Sequence, residues 1–507
     1  MSTKELSLPR LRTDGEAFMQ EISREYYLAH SGHKATAELQ PIYAKHASIL
    51  GTDSLALTLE AFKAETPGSE DHRKTRLLLD WQAESQSSRQ LAPLDERAIA
   101  WESSAVVRVS DTRELPYESV SIELANNPDR ADRHLIDAAR AKLVANELAP
   151  IRRERFQRER DITEELQLAP NYNATFELLS GIELGELRAQ CEQFLRDTDD
   201  MWRDVFPEFT KRVLGMEPSE VIRADALALF RARDFDTYFP PQRMEESIRR
   251  QVSEMGIDPL ASGRITLDTG EREGKRSRAF CSPVRVPDEV YLVLRPHGGQ
   301  TDWMTFLHEL GHALHFAYMR PNLAFEYRWL GDNSITEGYA MLFDHLLEDP
   351  GWLKRYTDLG PTHVRPFLRT VGFSELHYLR RYSAKLIYEI ELYGGSMRWD
   401  SLPDLYVEQL TKATTFRYNA ADAFVDVDPH FYAARYLRAW QLQALLTETL
   451  VEKYDADWWR NPRAGPWIVE TLFGEGQREL AQEQAQRVTG KSLSFAPLVR
   501  AVERMLG

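Results

Sequence analysis

The chain has 507 residues, 43% apolar and 28% charged, the make-up of an ordinary globular protein with ample core. It carries 63 basic and 79 acidic side chains, a formal net charge of −16 that repels phosphate backbones, so no nucleic acid is expected as partner. The only cysteines, Cys191 and Cys281, stand too far apart for a CxxC and exclude a disulfide framework or a cysteine-built metal site.

The opening MSTKELSLPRLRTDGE is charged throughout and lacks the apolar core of a Sec signal. No run approaches the roughly 18 apolar residues of a membrane helix. The expectation is a soluble, cytoplasmic protein with no membrane partner. Residues 34–50, 132–167 and 185–206 are rich in Ala, Leu, Glu and Arg with apolar residues at helical spacing, so helices are predicted there. The charge-dense run Arg152–Arg160 reads as a solvated helix face. Breaks fall at ANNP (125–128), APNYN (169–173), YFPP (238–241) and IDPLASG (257–263). There is no internal repeat. One strand region is predicted at 278–296, its second half the apolar run Val290–Leu294. Pro283, Pro287 and Pro296 bound it, which suits an edge strand, either one that only packs or one that pairs over 290–295 with an extended peptide. The fold class expected is mainly α with a small β-sheet just before residue 300.

A strong helix is then predicted from about Asp302, with Thr301 as N-cap. It carries His308-Glu309-Leu310-Gly311-His312, an HExxH motif. Residues four apart share a helix face, so the two imidazoles can hold one Zn²⁺ while Glu309 reaches a water at the metal. Gly311 in a helix interior costs about 1 kcal/mol against Ala and suggests a close approach by another helix or by the substrate. Such a site needs a third ligand and leaves a fourth position for water. His315 and Tyr318 stand where the metzincin extension requires Gly and His, so that class is excluded. Glu326, Asp332, Glu337, Asp344 and Glu348 are the candidate carboxylates. Glu337 is preferred because it lies in the helical segment NSITEGYAMLFDHLLED, with small Gly338 and Ala340 beside it. The competing reading is that Ser334-Ile335-Thr336-Glu337 is a capping box. Asp344, seven residues on, shares the face of Glu337 and is read either as the group that orients a ligand histidine or as a surface or capping residue.

HELGHALH with Glu337 downstream resembles the thimet oligopeptidase and oligoendopeptidase F family of gluzincins. KRSRAFCSPVRVPDEVYLVLRPHGGQTDWMTF, just before it, resembles the strand that precedes the zinc helix of that family. The likeness is carried by residues 265–345 and continues more faintly over 420–495. It implies a mainly α, zincin-like ellipsoid with a deep substrate channel. Residues 1–260 would form a helical N-terminal lobe covering the channel, and 261–507 the catalytic lobe. It also implies one zinc per chain held by His308, His312 and Glu337, Glu309 as general base, and short peptides as substrates. Two departures bear on substrate preference: Gly338-Tyr339-Ala340 replace the Pro-Ser-Gln-like residues usual after the ligand Glu, and the chain is shorter than many relatives.

The family carries a late helix whose His and Tyr residues hydrogen-bond the tetrahedral intermediate. DVDPHFYAARYLRAWQLQALL (426–446) is similar, with Asp428 a natural N-cap and Pro429 a natural first residue. Tyr436 is the first choice as oxyanion donor, with His430 and Tyr432 beside it, Arg435 as a support and Tyr418 as a further candidate. The resulting expectation is a zinc oligopeptidase cleaving internal bonds of short peptides. A carboxypeptidase or dipeptidyl carboxypeptidase of the same fold is the first alternative. A non-catalytic helical peptide-binding protein with a structural zinc is the second. Oligomeric state is not readable from the chain.

Overall fold

The computed structural model describes residues 6–507, and the described chain is mainly helical with a small amount of sheet. Among these residues no helix is long and apolar enough to cross a membrane. The chain folds as two compact units, each drawn from separate stretches of sequence. Among the described residues, the first comprises 6–86, 233–368 and 438–501; the second comprises 87–232, 369–437 and 502–507. This differs from the expected division at residue 260. The physical reason is visible in the first unit, where the N-terminal helix Leu8–His30 packs on the later strand Phe280–Arg285 and the short helix Phe325–Trp329. Its buried Leu11 and Phe18 join Ile49, Leu50, Leu78 and Phe325 in one apolar cluster, so this helix is part of the core of the first unit.

The sheet of the first unit has three strands: β3 (Ile265–Asp268), β4 (Phe280–Arg285) and β5 (Glu289–Val293), in the order β3-β5-β4. β3 runs parallel to β5, and β4 pairs antiparallel to it with Pro283 opposite Val290. The run expected as an edge strand is therefore the centre. Its Val290, Leu292 and Val293 are buried, as a strand with neighbours on both sides requires. The proline rule does hold one strand away: Pro283, which has no N–H for a second ladder, lies on the edge strand β4.

Two buried helices follow. Gln300–Tyr318 carries the HExxH motif and buries Trp303, Phe306, Leu307, Leu310, Leu314 and Ala317, an i, i+3, i+4, i+7 stripe. Its N-cap is Gly299 rather than Thr301, and the Asp302 carboxylate turns back to accept the N–H groups of His297 and Gly298. Arg320, held out of the helical region by Pro321, fits its end near Met319. Asn333–Asp344 carries Glu337 and is buried from Ser334 to Phe343. Its N-cap is Asp332, whose side chain accepts the Ser334 N–H at 2.9 Å and the Ala481 N–H at 3.0 Å. The capping-box reading of Ser334 and Glu337 is thus replaced.

These helices cross at Gly311. A Cβ there would lie 2.6 Å from Ala340 Cα and 2.9 Å from the Tyr339 carbonyl, so only glycine permits the approach. Gly338 serves a different neighbour, since a Cβ there would meet Leu442 and the Ala439 carbonyl.

The second unit is helical apart from a hairpin of β1 (Val106–Ser110) and β2 (Arg113–Pro116), which the sequence reading missed. Buried Val107 of β1 packs with Val120, Leu124 and Ile136. The predicted helix over 132–167 is two helices, Arg130–Asn146 and Leu148–Glu165, and that over 185–206 breaks at Thr198. Residues 34–50 form only a short helix, Leu39–Lys45, and one 3₁₀ turn.

Candidate metal centre

His308 and His312 lie one turn apart on the first helix, their ring centroids 4.9 Å apart and nearly perpendicular. Both turn Nε2 toward a single oxygen of Glu337. Oε2 is 3.4 Å from His308 Nε2 and 3.7 Å from His312 Nε2. One ligand atom from each of the three residues lies within 4.8 Å of the other two. Of the five candidate carboxylates, Glu337 is the one that joins both imidazoles. Glu326 is bound to Arg12, Asp332 caps its helix, and Glu348 lies 3.9 Å from His345.

The opposite ring nitrogens are engaged. Nδ1 of His308 lies 2.7 Å from Asp344 Oδ2, the orienting contact the sequence suggested. Nδ1 of His312 lies 2.9 Å from the Thr336 hydroxyl, which the sequence reading did not single out. In the tautomers that place the ring protons on Nδ1, both Nε2 atoms present lone pairs on the side of Glu337. Two imidazole nitrogens and a carboxylate oxygen are donors that could hold a divalent cation such as zinc.

Burial alone would lower the His308 pKa, but its hydrogen bonds to Asp344 and Glu337 outweigh that and hold it at about 10. Burial dominates at His312 and pushes it down to about 4, since its Nδ1 faces a neutral hydroxyl. His315 is fully buried and pushed down to about 3 by the same cause. Burial works against ionisation of Asp344 too, yet His345 and His308 hold it below the usual carboxylate range. A divalent cation at Nε2 would have to displace the proton that these contacts hold on His308.

Glu309 follows His308 but turns toward the sheet. Its Oε2 accepts the backbone N–H of Cys281, on edge strand β4, at 2.8 Å. Burial raises its pKa, as suits a base that must also hold a proton. Burial, with the Glu309 charge beside it, pushes the Cys281 thiol well above its ordinary value.

The late-helix candidates belong to the second unit. Helix Tyr432–Tyr454 starts later than expected, because Pro429–Phe431 form a separate turn in which His430 and Phe431 have φ of 57° and 51°. Asp428 stands at the N-cap position but makes no side-chain cap and pairs with Lys385 at 2.5 Å. His430 Nδ1 lies 3.2 Å from the fully buried Glu159, which also accepts the Tyr172 hydroxyl at 2.9 Å. The Tyr432 and Tyr436 rings meet edge-on at 4.8 Å, and Tyr436 meets Tyr382 at 5.7 Å. Arg435 is buried over the Phe176 ring, and Tyr418 is buried against Tyr406. The structure thus brings His308, Glu309, His312, Glu337 and Asp344 together within the first unit, whereas His430, Tyr432 and Tyr436 belong to the second. The chain matches no known protein-family model and no curated protein.

Proposed function

We propose that the first unit is the catalytic body of a zinc metallopeptidase. The observation that carries the reading is the convergence of both HExxH imidazoles on one Glu337 oxygen from a second helix, with each Nδ1 committed elsewhere. A zinc ion held by His308, His312 and Glu337 would lower the pKa of water and polarise a carbonyl. Glu309, adjacent in sequence and anchored by the Cys281 N–H, takes the proton of the water that adds to the scissile carbonyl. The same carboxyl returns that proton to the amine as the C–N bond breaks. The unpaired side of β4 offers backbone groups to an extended peptide next to Glu309. The likeness of HELGHALH to the thimet oligopeptidase and oligoendopeptidase F family supplies the substrate class: short peptides cut at internal bonds. A zincin-like fold with a channel leading to the centre belongs to the same proposal.

The test is zinc analysis together with cleavage of short peptides blocked at both ends, in unmodified protein and Glu309→Gln. Unmodified protein is expected to hold about one zinc per chain and to cut the blocked peptides. The variant is expected to keep the zinc and lose about 10²–10⁴-fold in kcat. Equal kcat would remove Glu309 from the chemistry. Cleavage of peptides with free C-termini only would make the enzyme a carboxypeptidase.

A further inference from the structure

The two imidazoles of the centre are braced by unlike groups. His308 meets a carboxylate, Asp344, whose other oxygen lies 2.5 Å from His345 Nδ1. His312 meets a neutral hydroxyl, Thr336 Oγ1, and that hydroxyl is shared. Nδ1 of His315 lies 3.2 Å from the same oxygen. A hydroxyl has a single proton to give and two lone pairs to receive with. For His312 to turn a lone pair at Nε2 toward Glu337, its own proton must sit on Nδ1, and Thr336 must accept it. The hydroxyl proton then needs a different acceptor, and His315 Nδ1 is in place.

The acceptor is fixed in position. His315 is fully buried, on the same helix as His312, with its ring against Tyr339 at 4.8 Å and Phe473 at 5.8 Å. Thr336 lies one residue before Glu337, so one turn of helix sets both the carboxylate ligand and the hydroxyl that orients an imidazole ligand. Were His315 apolar, the hydroxyl proton would be free to point at His312, favouring the tautomer that closes Nε2 to a cation.

We propose that Thr336 and His315 are positioning residues that act as a pair: they hold the His312 proton on Nδ1 and so keep Nε2 open to the metal. This rests on the metal-centre reading above. It adds the direction of every hydrogen bond from His312 outward, and it makes a chemical claim that packing alone would not.

The test is the zinc dissociation constant, measured by chelator competition, with the thermal midpoint of the metal-free protein as control for folding. Thr336→Val keeps the shape and removes the hydroxyl, and it is expected to weaken zinc binding about 10–100-fold. Thr336→Ser keeps the hydroxyl and loses a methyl, and it is expected to stay within about threefold of the unmodified protein. His315→Asn leaves an acceptor near the old Nδ1 and is expected to bind zinc more tightly than His315→Leu, which leaves none. A packing role predicts the reverse order in each pair: valine and leucine harmless, serine and asparagine worse. That reverse order, or equal affinities throughout, overturns the proposal. Should Thr336→Val fail to fold, the two His315 variants decide by the same rule. Absence of zinc from the unmodified protein would remove the metal centre itself, whereas tight zinc binding in both unmodified protein and Thr336→Val removes this inference alone.

Discussion

Oδ2 of Asp344 lies 2.7 Å from Nδ1 of His308, although the two residues come from different helices and stand 36 positions apart. The contact fixes the rotation of the imidazole about Cβ–Cγ and places a negative charge behind it. Orienting carboxylates of this kind typically contribute 10–100-fold to metal affinity. Asp344→Ala is therefore expected to raise the zinc dissociation constant by about that factor, and Asp344→Asn by less, since an amide oxygen still accepts the Nδ1–H. Chelator competition measures both. An alanine variant that binds zinc as tightly as the unmodified protein would show that the contact is not used.

Gly311→Ala is expected to destabilise the first unit despite improving helix propensity. The propensity gain is about 1 kcal/mol. The new Cβ would lie 2.6 Å from a backbone atom of the Glu337 helix, which cannot step aside as a side-chain tip would. Overpacking of this kind costs about 1–3 kcal/mol, and contact with backbone places it toward the upper end. A lower thermal midpoint, with weaker zinc binding because Glu337 is pushed away, is the expected result. A raised midpoint would mean that the helices are not in contact there.

Glu389 provides a pH prediction in the second unit. It is fully buried, and burial pushes its pKa up to about 8 against the partial opposition of Lys385, 3.9 Å away. Its pKa is higher folded than unfolded, so between the two values the native state holds the extra proton. The stability from this group is fully present below its unfolded value and is lost as pH rises through about 8. Glu389→Gln, which stays neutral, is expected to show a shallower fall in denaturant midpoint between pH 5 and pH 9. Parallel pH curves for the two proteins would contradict the raised value.

The candidate centre was more legible than the fold around it. His308, Glu309 and His312 could be read because metal chemistry and helix period demand the same spacing. Gly311 announced a close approach, and Ala340 is its partner. Glu337 needed a choice among five acids, and the competing cap was resolved only by Asp332, two residues before Ser334, taking the N-cap position. What failed was non-local. Val290–Leu294 became a central strand because β3 joins its far side, and nothing within the run signals that neighbour. The long helices end at Glu147 and Thr198 while the apolar period continues past the bends. The positive φ of His430 follows from no local signal in Asp-Pro-His-Phe. The hairpin at 106–116 was readable, since VVRVS and RELP flank Asp111-Thr112, but its strands are short and half exposed. The contacts of Thr336 with His312 and His315 depend on two helices crossing, so nothing in the sequence around them signals the arrangement.

The most direct test of the account is zinc X-ray absorption spectroscopy on the purified protein, with Glu337→Gln measured alongside. The account predicts one zinc site with two imidazole nitrogens and oxygen from a carboxylate and water, at about 2.0–2.2 Å and with no sulfur. It also predicts that the carboxylate contribution is lost in the variant. A zinc-free protein, a sulfur ligand, or a spectrum unchanged by Glu337→Gln would contradict it.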